Sequence, residues 1–267
     1  MNNTSALNTV SIKPPHIFSR IYSVWFRHIR VYCKNLFSNG FPPFIEPLMF
    51  LAGIGLGLGQ YVREINGMSY IAFLATGMLV PPAMFTASFE CTFGTFIRME
   101  FDKVYDGMIS ASLTVRDLFV GEILFAGTKG FFFSTAVLIV VSCFGLIHSP
   151  MALLTPFVGF LTGLMFASLA LFITSFVNNI NHFNFYFTGL ITPMFFFSGI
   201  VFPLDTLPAY AQWIAGFFPL KHAVSLVRAF CFNTFEPDLM LNLLYMILFI
   251  IVFSSLAIRR LSRRIIN

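Results

Sequence analysis

The sequence predicts an all-α membrane protein with six transmembrane helices. An amphipathic interfacial helix precedes them, a short amphipathic helix lies on the cytoplasmic face, and re-entrant extracytoplasmic helices come before the last span. Hydrophobic residues make up 57% of the 267 residues and charged residues 10%, against about 25% charged residues in soluble domains. Long apolar segments recur, and Lys and Arg concentrate between alternate segments. Because this composition cannot cover a water-facing surface, an aqueous enzyme is excluded.

The segment from Phe18 to Leu36 has the periodicity of an amphipathic helix. Apolar residues, Trp25 among them, recur at helical spacing. The opposite face is basic and carries Arg20, Arg27, Arg30 and Lys34. Such a helix lies in the membrane interface with its cations at anionic head groups. We therefore expect residues 1–40 to form a cytoplasmic tail and interfacial helix; a soluble helix that binds a partner is the alternative.

Six apolar segments are long enough to cross a bilayer, which takes about 20 residues. They lie at roughly 43–62, 69–95, 117–147, 151–177, 183–202 and 239–258. This predicts a transmembrane domain over 41–262 and a basic tail over 263–267. Most cations then fall on the side of the N-terminus, so the positive-inside rule places both termini in the cytoplasm.

The first two spans contain residues that shape helices. Two overlapping small-xxx-small pairs in the first span allow another helix to approach closely; they are formed by Gly53, Gly55, Gly57 and Gly59. Pro81-Pro82 removes two backbone donors from the second span, which predicts a kink.

The loop after the second span is predicted to form an amphipathic helix on the cytoplasmic membrane face. Its apolar residues recur at helical spacing, and its charged residues are Arg98, Glu100, Asp102, Lys103 and Asp106. Such a helix can transmit force from a cytoplasmic partner, or it can merely join two spans.

The connection before the last span is apolar but broken into pieces too short to cross. It is divided by Pro193, Gly199, Pro203, Pro208 and Pro219. This pattern favours helices that enter the outer leaflet and turn back, which makes the region a candidate exit gate.

Four ionisable residues lie inside predicted spans: Glu46, Glu90, Glu122 and Lys129. Charges at this depth are costly and need a partner or a function. For Glu46 and Glu90 we expect snorkelling or capping near the cytoplasmic ends. Glu122 and Lys129 lie two turns apart, and for them pairing across a helix interface is favoured over binding of substrate or a proton.

Catalytic and metal-binding patterns are absent from the sequence. The histidines form no HExxH motif, the cysteines form no CxxC motif, and no nucleotide fingerprint or catalytic cluster occurs. We therefore expect no metal site, no catalytic residue and no enzyme activity. The many aromatic residues suit lipid and helix packing, and we expect no nucleic-acid partner.

Two blocks of sequence resemble the permeases of the ABC-2 type, in the branch of the nodulation-factor (lipo-chitooligosaccharide) exporters. The first runs from Ala87-Ser88-Phe89-Glu90 through Arg98-Met99-Glu100 to Asp117-Leu118-Phe119-Val120-Gly121-Glu122-Ile123. The second comprises residues 192–205, Leu207-Pro208 and Pro219-Leu220-Lys221-His222-Ala223-Val224. Its order of Pro and Gly makes it the more specific.

The resemblance implies an exporter half that forms a homodimer and binds two copies of a separate ATPase subunit. ATP and Mg would be bound by that subunit, in the bacterial inner membrane. Residues 98–113 would be the coupling helix, 18–36 the connecting helix and 203–230 the re-entrant helices, with His222 in the gate. The expected cargo is a lipo-oligosaccharide or another amphipathic molecule, with a drug-like compound or a polysaccharide as alternatives. An ion-coupled secondary transporter or channel and a lipid-modifying membrane enzyme are the alternative classes.

Overall fold

The computed structural model describes residues 15–266 except 60, 63, 66, 112, 148 and 235–237. Most described residues are helical, and a two-stranded hairpin pairs Glu64–Ile65 with Met68–Ser69. The tail predicted for residues 1–14, and Arg63 on the far side of the first span, lie outside the described residues.

Five described helices are long and apolar enough to cross a membrane. The first span is Leu36–Gly59, the second Tyr70–Phe101, the third Val115–Cys143, the fourth Pro150–Thr174, and the last helix is Asp238–Ile266. A pair of helices bent by 89°, Ala209–Gly216 and Pro219–Phe232, passes the same test if taken together. The described chain therefore contains five spans, or six with this pair.

The segment predicted as a fifth span, 183–202, differs from expectation. Its helical turns run over residues 180–196 and end at Phe196, which is short of the roughly 20 residues that cross a bilayer. Gly199 follows with φ +78°, a backbone conformation that favours glycine. A helix therefore cannot continue to 202.

Prolines start helices in both of the first two spans. Helix already begins at Leu36, earlier than predicted, and resumes at Pro42 after a bend at Phe41. In the second span the helix Tyr70–Gly77 stops and a new helix begins at Pro81. Both prolines occupy a first turn, where a missing N–H removes no intrahelical bond. Where the sequence predicts a kink at Pro81-Pro82, the structure has a break between two helices.

The N-terminal helix, Ile17–Lys34, confirms the predicted helix but not its predicted faces. Val24 and His28 are its buried residues, whereas Phe18 is 74% exposed. The helix lies against the third span, where a Cβ on Gly121 would come within 2.6 Å of Val24. The absence of a side chain at Gly121 therefore lets this helix dock.

The third and fourth spans make the closest helix contact described. A Cβ on Gly130 would lie 2.5 Å from the Gly159 carbonyl oxygen, and one on Gly163 would lie 2.7 Å from the Ala126 carbonyl oxygen. Backbone thus packs on backbone, as small-xxx-small patterns permit. Gly159-x-x-x-Gly163 is such a pattern, and the sequence analysis missed it.

The glycines singled out in the first span do not bring helices of this chain close together. A Cβ on Gly53 or Gly57 would meet nothing within 4 Å in the described structure. A Cβ on Gly55 or Gly59 would lie at ordinary van der Waals distance from the Ile71 side chain. Close approach of another helix to Gly53 and Gly57 stays a prediction.

The region before the last helix has short helices, as expected. Pro208 precedes Ala209–Gly216, and Pro219 begins Pro219–Phe232. His222 contacts Asn242 of the last helix at 2.6 Å and the Gly216 carbonyl oxygen at 3.1 Å. This imidazole therefore joins both helices of the bent pair to the last helix.

We predict that Gly163→Ala lowers the free energy of unfolding by about 1–3 kcal/mol, because the added methyl group meets backbone that cannot move aside. The measurement is the thermal unfolding midpoint of the purified protein in detergent. Gly189→Ala is the matched control, since its Cβ meets nothing within 4 Å, and its midpoint should not fall. Equal midpoints for the two variants would contradict the close contact of the third and fourth spans.

Candidate functional site

A buried network of charged side chains joins the second and third spans. Its centre is Arg98, which donates from Nη1 to Glu90 Oε1 at 2.7 Å and from Nε to Glu122 Oε1 at 3.0 Å. The Arg98 side chain is 15% exposed and the Glu122 side chain 1%. One guanidinium thus pairs with two carboxylates, one on each span.

Lys129 completes the charge balance of this network. Its Nζ lies 3.0 Å from Glu90 Oε2, and it also lies over the ring of Tyr32, 5.2 Å from the ring centroid. Two carboxylates therefore face two cations. The predicted pairing across a helix interface is confirmed. Glu122 pairs with Arg98 and Lys129 pairs with Glu90, and both partners lie on the second span. The capping expected for Glu90 is replaced by two ion pairs.

Tyr105 connects the network to the loop between the second and third spans. It lies on the loop helix, Val104–Ser110, and its hydroxyl donates to Glu122 Oε1. Burial, and then the Glu122 carboxylate, raise the pKa of this hydroxyl well above its usual range, so it stays protonated and donates. Thr95 Oγ1 donates to the other oxygen of Glu122 at 2.9 Å. The loop helix is thereby tied directly to a carboxylate inside the bundle.

Irregular helix shapes this part of the second span. Residues Glu90–Gly94 and Ile97–Phe101 form π-helical turns, a geometry that is frequent at functional sites. A Cβ on Gly94 would lie 3.3 Å from both Arg98 Nη1 and Glu90 Oε1. Gly94 therefore leaves room for the Arg98 side chain to fold back onto Glu90.

The N-terminal helix approaches the same network through His28. The His28 Nε2 atom lies 3.7 Å from Glu122 Oε1, and its ring stacks on Phe125. Burial lowers the pKa of His28 to about 4. The imidazole is therefore neutral at neutral pH and leaves the charge balance of the network unchanged.

Two further contacts hold the N-terminal helix on the third span. Asp117 and Thr114 form a capping box at the start of this span, and Arg20 Nε lies 3.3 Å from Asp117 Oδ2. Trp25 Nε1 donates to Thr128 Oγ1 at 3.0 Å. Arg20 is therefore an ion-pair partner and not part of the exposed basic face, on which Arg30 and Lys34 remain exposed.

The predicted coupling helix is shorter than expected. Arg98 and Glu100 belong to the second span, which ends at Phe101. Lys103, with φ +50°, interrupts the helical conformation before the loop helix begins. Glu100 pairs with Arg264 of the last helix at 2.9 Å. Asp102, Lys103 and Asp106 are exposed.

A cavity of about 460 Å³ opens beside the network. Its lining combines aromatic rings with polar groups and includes Phe85, Phe89, Phe133, Asn39, Thr86 and Lys129. Glu46 also lines it and is itself exposed. Glu46 therefore faces open space, whereas the other three intramembrane charges are ion-paired.

Sequence reasoning missed several residues of this site. Tyr105, His28, Thr95 and Gly94 carry no sequence signal that separates them from ordinary packing residues. Asp117 could have been found, because Thr114-x-x-Asp117 before an apolar run is the pattern of a capping box.

The fold and the site define a class: a multi-pass helical membrane protein whose exposed loop helix is tied to buried charges between its spans. The comparisons agree with this class. Residues 19–232 match the family described as ABC-2 type transporter. The chain is 36% identical to Nodulation protein J of Rhizobium leguminosarum bv. viciae over 245 residues, covering 90% of this chain and 95% of that protein. It is 33% identical to Nodulation protein J of Sinorhizobium fredii, covering 92% and 94%. It is 20% identical to the inner membrane transport permease YadH of Escherichia coli, covering 86% and 90%.

The chain belongs to the ABC-2 type transporter family. It is a membrane transport subunit, which agrees with the resemblance noted from its sequence.

We predict strong coupling between Glu90 and Lys129. Lys129→Met or Glu90→Gln alone should each lower the free energy of unfolding by about 3 kcal/mol, because each leaves an uncompensated buried charge. The double variant should lose less than the sum, since Arg98 and Glu122 then still balance each other. Chemical unfolding of the four proteins in detergent measures the cycle, and additive losses would contradict the network.

We predict that His28 makes stability fall in mild acid. Its folded-state pKa of about 4 lies below the ordinary value of 6.5, so the unfolded chain binds a proton that the folded chain excludes as pH falls between these values. This lowers the free energy of unfolding by about 2 kcal/mol between roughly pH 7.5 and pH 5. Thermal unfolding over the same pH interval measures this difference: the free energy of unfolding should fall about 2 kcal/mol further for the wild type than for His28→Gln. Parallel pH profiles of stability for the two proteins would contradict this prediction, because they would mean that burial does not lower the pKa of His28.

Proposed function

We propose that this chain is the transmembrane permease subunit of an ATP-driven exporter. The exporter moves a lipid-linked or amphipathic molecule out of the cytoplasm or out of the inner leaflet of the membrane. One observation supports it most: Asp106 of the loop helix and Asp102 just before it are exposed at the protein surface, while Tyr105 of the same helix donates to Glu122 inside the bundle. A partner that moves this helix would also move a group shared by two spans.

Force would pass from the ATPase through the loop helix as the coupling helix. Asp102, Lys103 and Asp106 would contact the ATPase, since they are exposed. Tyr105, Glu122 and Arg98 would carry the displacement to the second and third spans, because hydrogen bonds and ion pairs bind them as one unit. The spans would then alternate between inward-facing and outward-facing arrangements.

The assembly would be a homodimer with two copies of the ATPase subunit, which bind ATP and Mg. Exposure of the spans supports a further partner in the membrane: the most apolar windows of the first and last spans are 22% and 11% buried, against 83% for the second. The exposed Gly53 and Gly57 would let a helix of the second copy approach closely. The remaining apolar surface would face lipid.

Cargo and location follow from the resemblance to nodulation-factor exporters and from the placement of charges. A lipo-oligosaccharide has both acyl chains and sugars, and the cavity beside Lys129 offers aromatic rings and polar groups together. The basic residues near both ends of the chain favour cytoplasmic termini in the bacterial inner membrane. The bent pair with Pro203, Pro208 and Pro219 would line the exit.

We predict that Asp102→Arg with Asp106→Arg uncouples the permease from its ATPase, because it reverses the charge of the proposed contact surface. Reconstituted with the ATPase subunit, the variant should lose most of the stimulation of ATP hydrolysis and most of the transport. Its thermal unfolding midpoint should stay near that of the wild type, since both residues are exposed.

Glu64→Arg with Asp205→Arg is the matched control. It makes the same change of charge at two exposed residues on the side assigned to the exterior, and it should keep full stimulation. Unchanged transport and unchanged ATPase binding in the Asp102/Asp106 variant would refute the coupling role of the loop helix.

A further inference from the structure

The final turns of the last helix form a basic cavity separate from the charge network. Arg259, Arg260, Arg263 and Arg264 line a cavity of about 520 Å³, together with residues near the end of the fourth span. Two turns of helix therefore concentrate four cations at one end of a membrane span.

Arg264 has a structural role within this cluster. It donates to Glu100 Oε1 at 2.9 Å and to the carbonyl oxygens of Thr174 and Val177 at 2.9 and 2.7 Å. Those carbonyls lie at the end of the fourth span, where orphan acceptors need donors. Arg264 thereby fixes the last helix against the fourth span and shapes the cavity.

The other three arginines have unbalanced charge. Arg259, Arg260 and Arg263 are exposed, and among the described residues none of them pairs with a carboxylate. Arg260 lies over the ring of Phe176, 3.8 Å from the ring centroid. Three cations therefore face the cavity without a carboxylate partner among the described residues, which suits an anionic ligand.

The apolar side of the cavity indicates what kind of anion fits. Phe172, Phe176 and Leu256 line it beside the cations. Further along the last helix, Leu248 and Val252 are exposed as well. A continuous apolar surface thus leads along a span to a cationic cluster at its end, at the depth where lipid head groups lie.

We propose that this cavity binds an anionic phospholipid, with its phosphate between Arg259, Arg260 and Arg263 and its acyl chains along Leu256 and the exposed face of the last helix. A free phosphate ion offers the same charge but makes no use of the apolar wall. An acidic protein surface would likewise leave the lipid-facing residues beside the cavity uncovered.

Binding of phosphatidylglycerol to the full-length protein in detergent micelles tests the proposal, measured by native mass spectrometry and by the rise of the thermal unfolding midpoint. Arg263→Gln should weaken binding about 5-fold, and Arg259→Gln with Arg263→Gln about 30-fold, as expected for loss of one and two cations near a membrane surface. Arg264 stays unchanged in both variants, so the contact with Glu100 is kept. Phosphatidylcholine should bind weakly to every variant.

Arg116→Gln is the control, because Arg116 is also exposed and lies outside the cavity. It should bind phosphatidylglycerol like the wild type, and inorganic phosphate should neither raise the midpoint nor displace the lipid. Equal weakening in Arg263→Gln and Arg116→Gln would reduce the effect to diffuse charge and overturn the proposal. Protection by inorganic phosphate equal to that by the lipid would overturn the lipid assignment. Loss of ATPase-subunit binding with unchanged lipid binding in the double variant would overturn it in favour of a protein contact.

Discussion

The contact on which the rest of this structure depends is the Arg98 guanidinium held between Glu90 and Glu122. Removing charges from water is expensive, and a buried ion is tolerated when opposite charges and hydrogen-bond donors surround it. Arg98 and Lys129 supply the charges, while Tyr105 and Thr95 supply donors to Glu122. Loss of any one member leaves another buried charge without its partner, which is strongly destabilising. The second and third spans are therefore held in one relative position.

The third span, which carries Glu122 and Lys129 of this network, also holds the two peripheral helices. The loop helix is attached by Tyr105, and the N-terminal helix by Arg20, Trp25 and the packing of Val24 against Gly121. Their attachment points lie on the third span or reach Glu122, which belongs to it. A helix that is itself too short or too polar to cross a membrane is thereby coupled to helices that do cross it.

The buried charge network and the arginine cluster of the last helix differ in how their charges are paired. In the network each cation meets a carboxylate, and the sum of charges is close to zero. At the end of the last helix Arg264 pairs with Glu100, but Arg259, Arg260 and Arg263 pair with no carboxylate in the part of the chain that the structure describes. Paired charges hold the spans together, whereas unpaired cations beside an apolar wall are suited to an external ligand.

The sequence by itself determined the membrane class, the N-terminal helix and a disturbance of the second span near Pro81, because hydropathy, helical periodicity and proline chemistry act over neighbouring residues. The family followed from the resemblance of two sequence blocks. The sequence also singled out the four intramembrane charges as features that need partners. Only the tertiary structure decided which partners they have: Glu122 meets Arg98 and Tyr105, and Lys129 meets Glu90. It also revealed a close helix contact at Gly130 and Gly163 that the sequence analysis missed. Such contacts join residues distant in sequence, and local patterns of apolar and polar residues do not specify which faces of two helices meet.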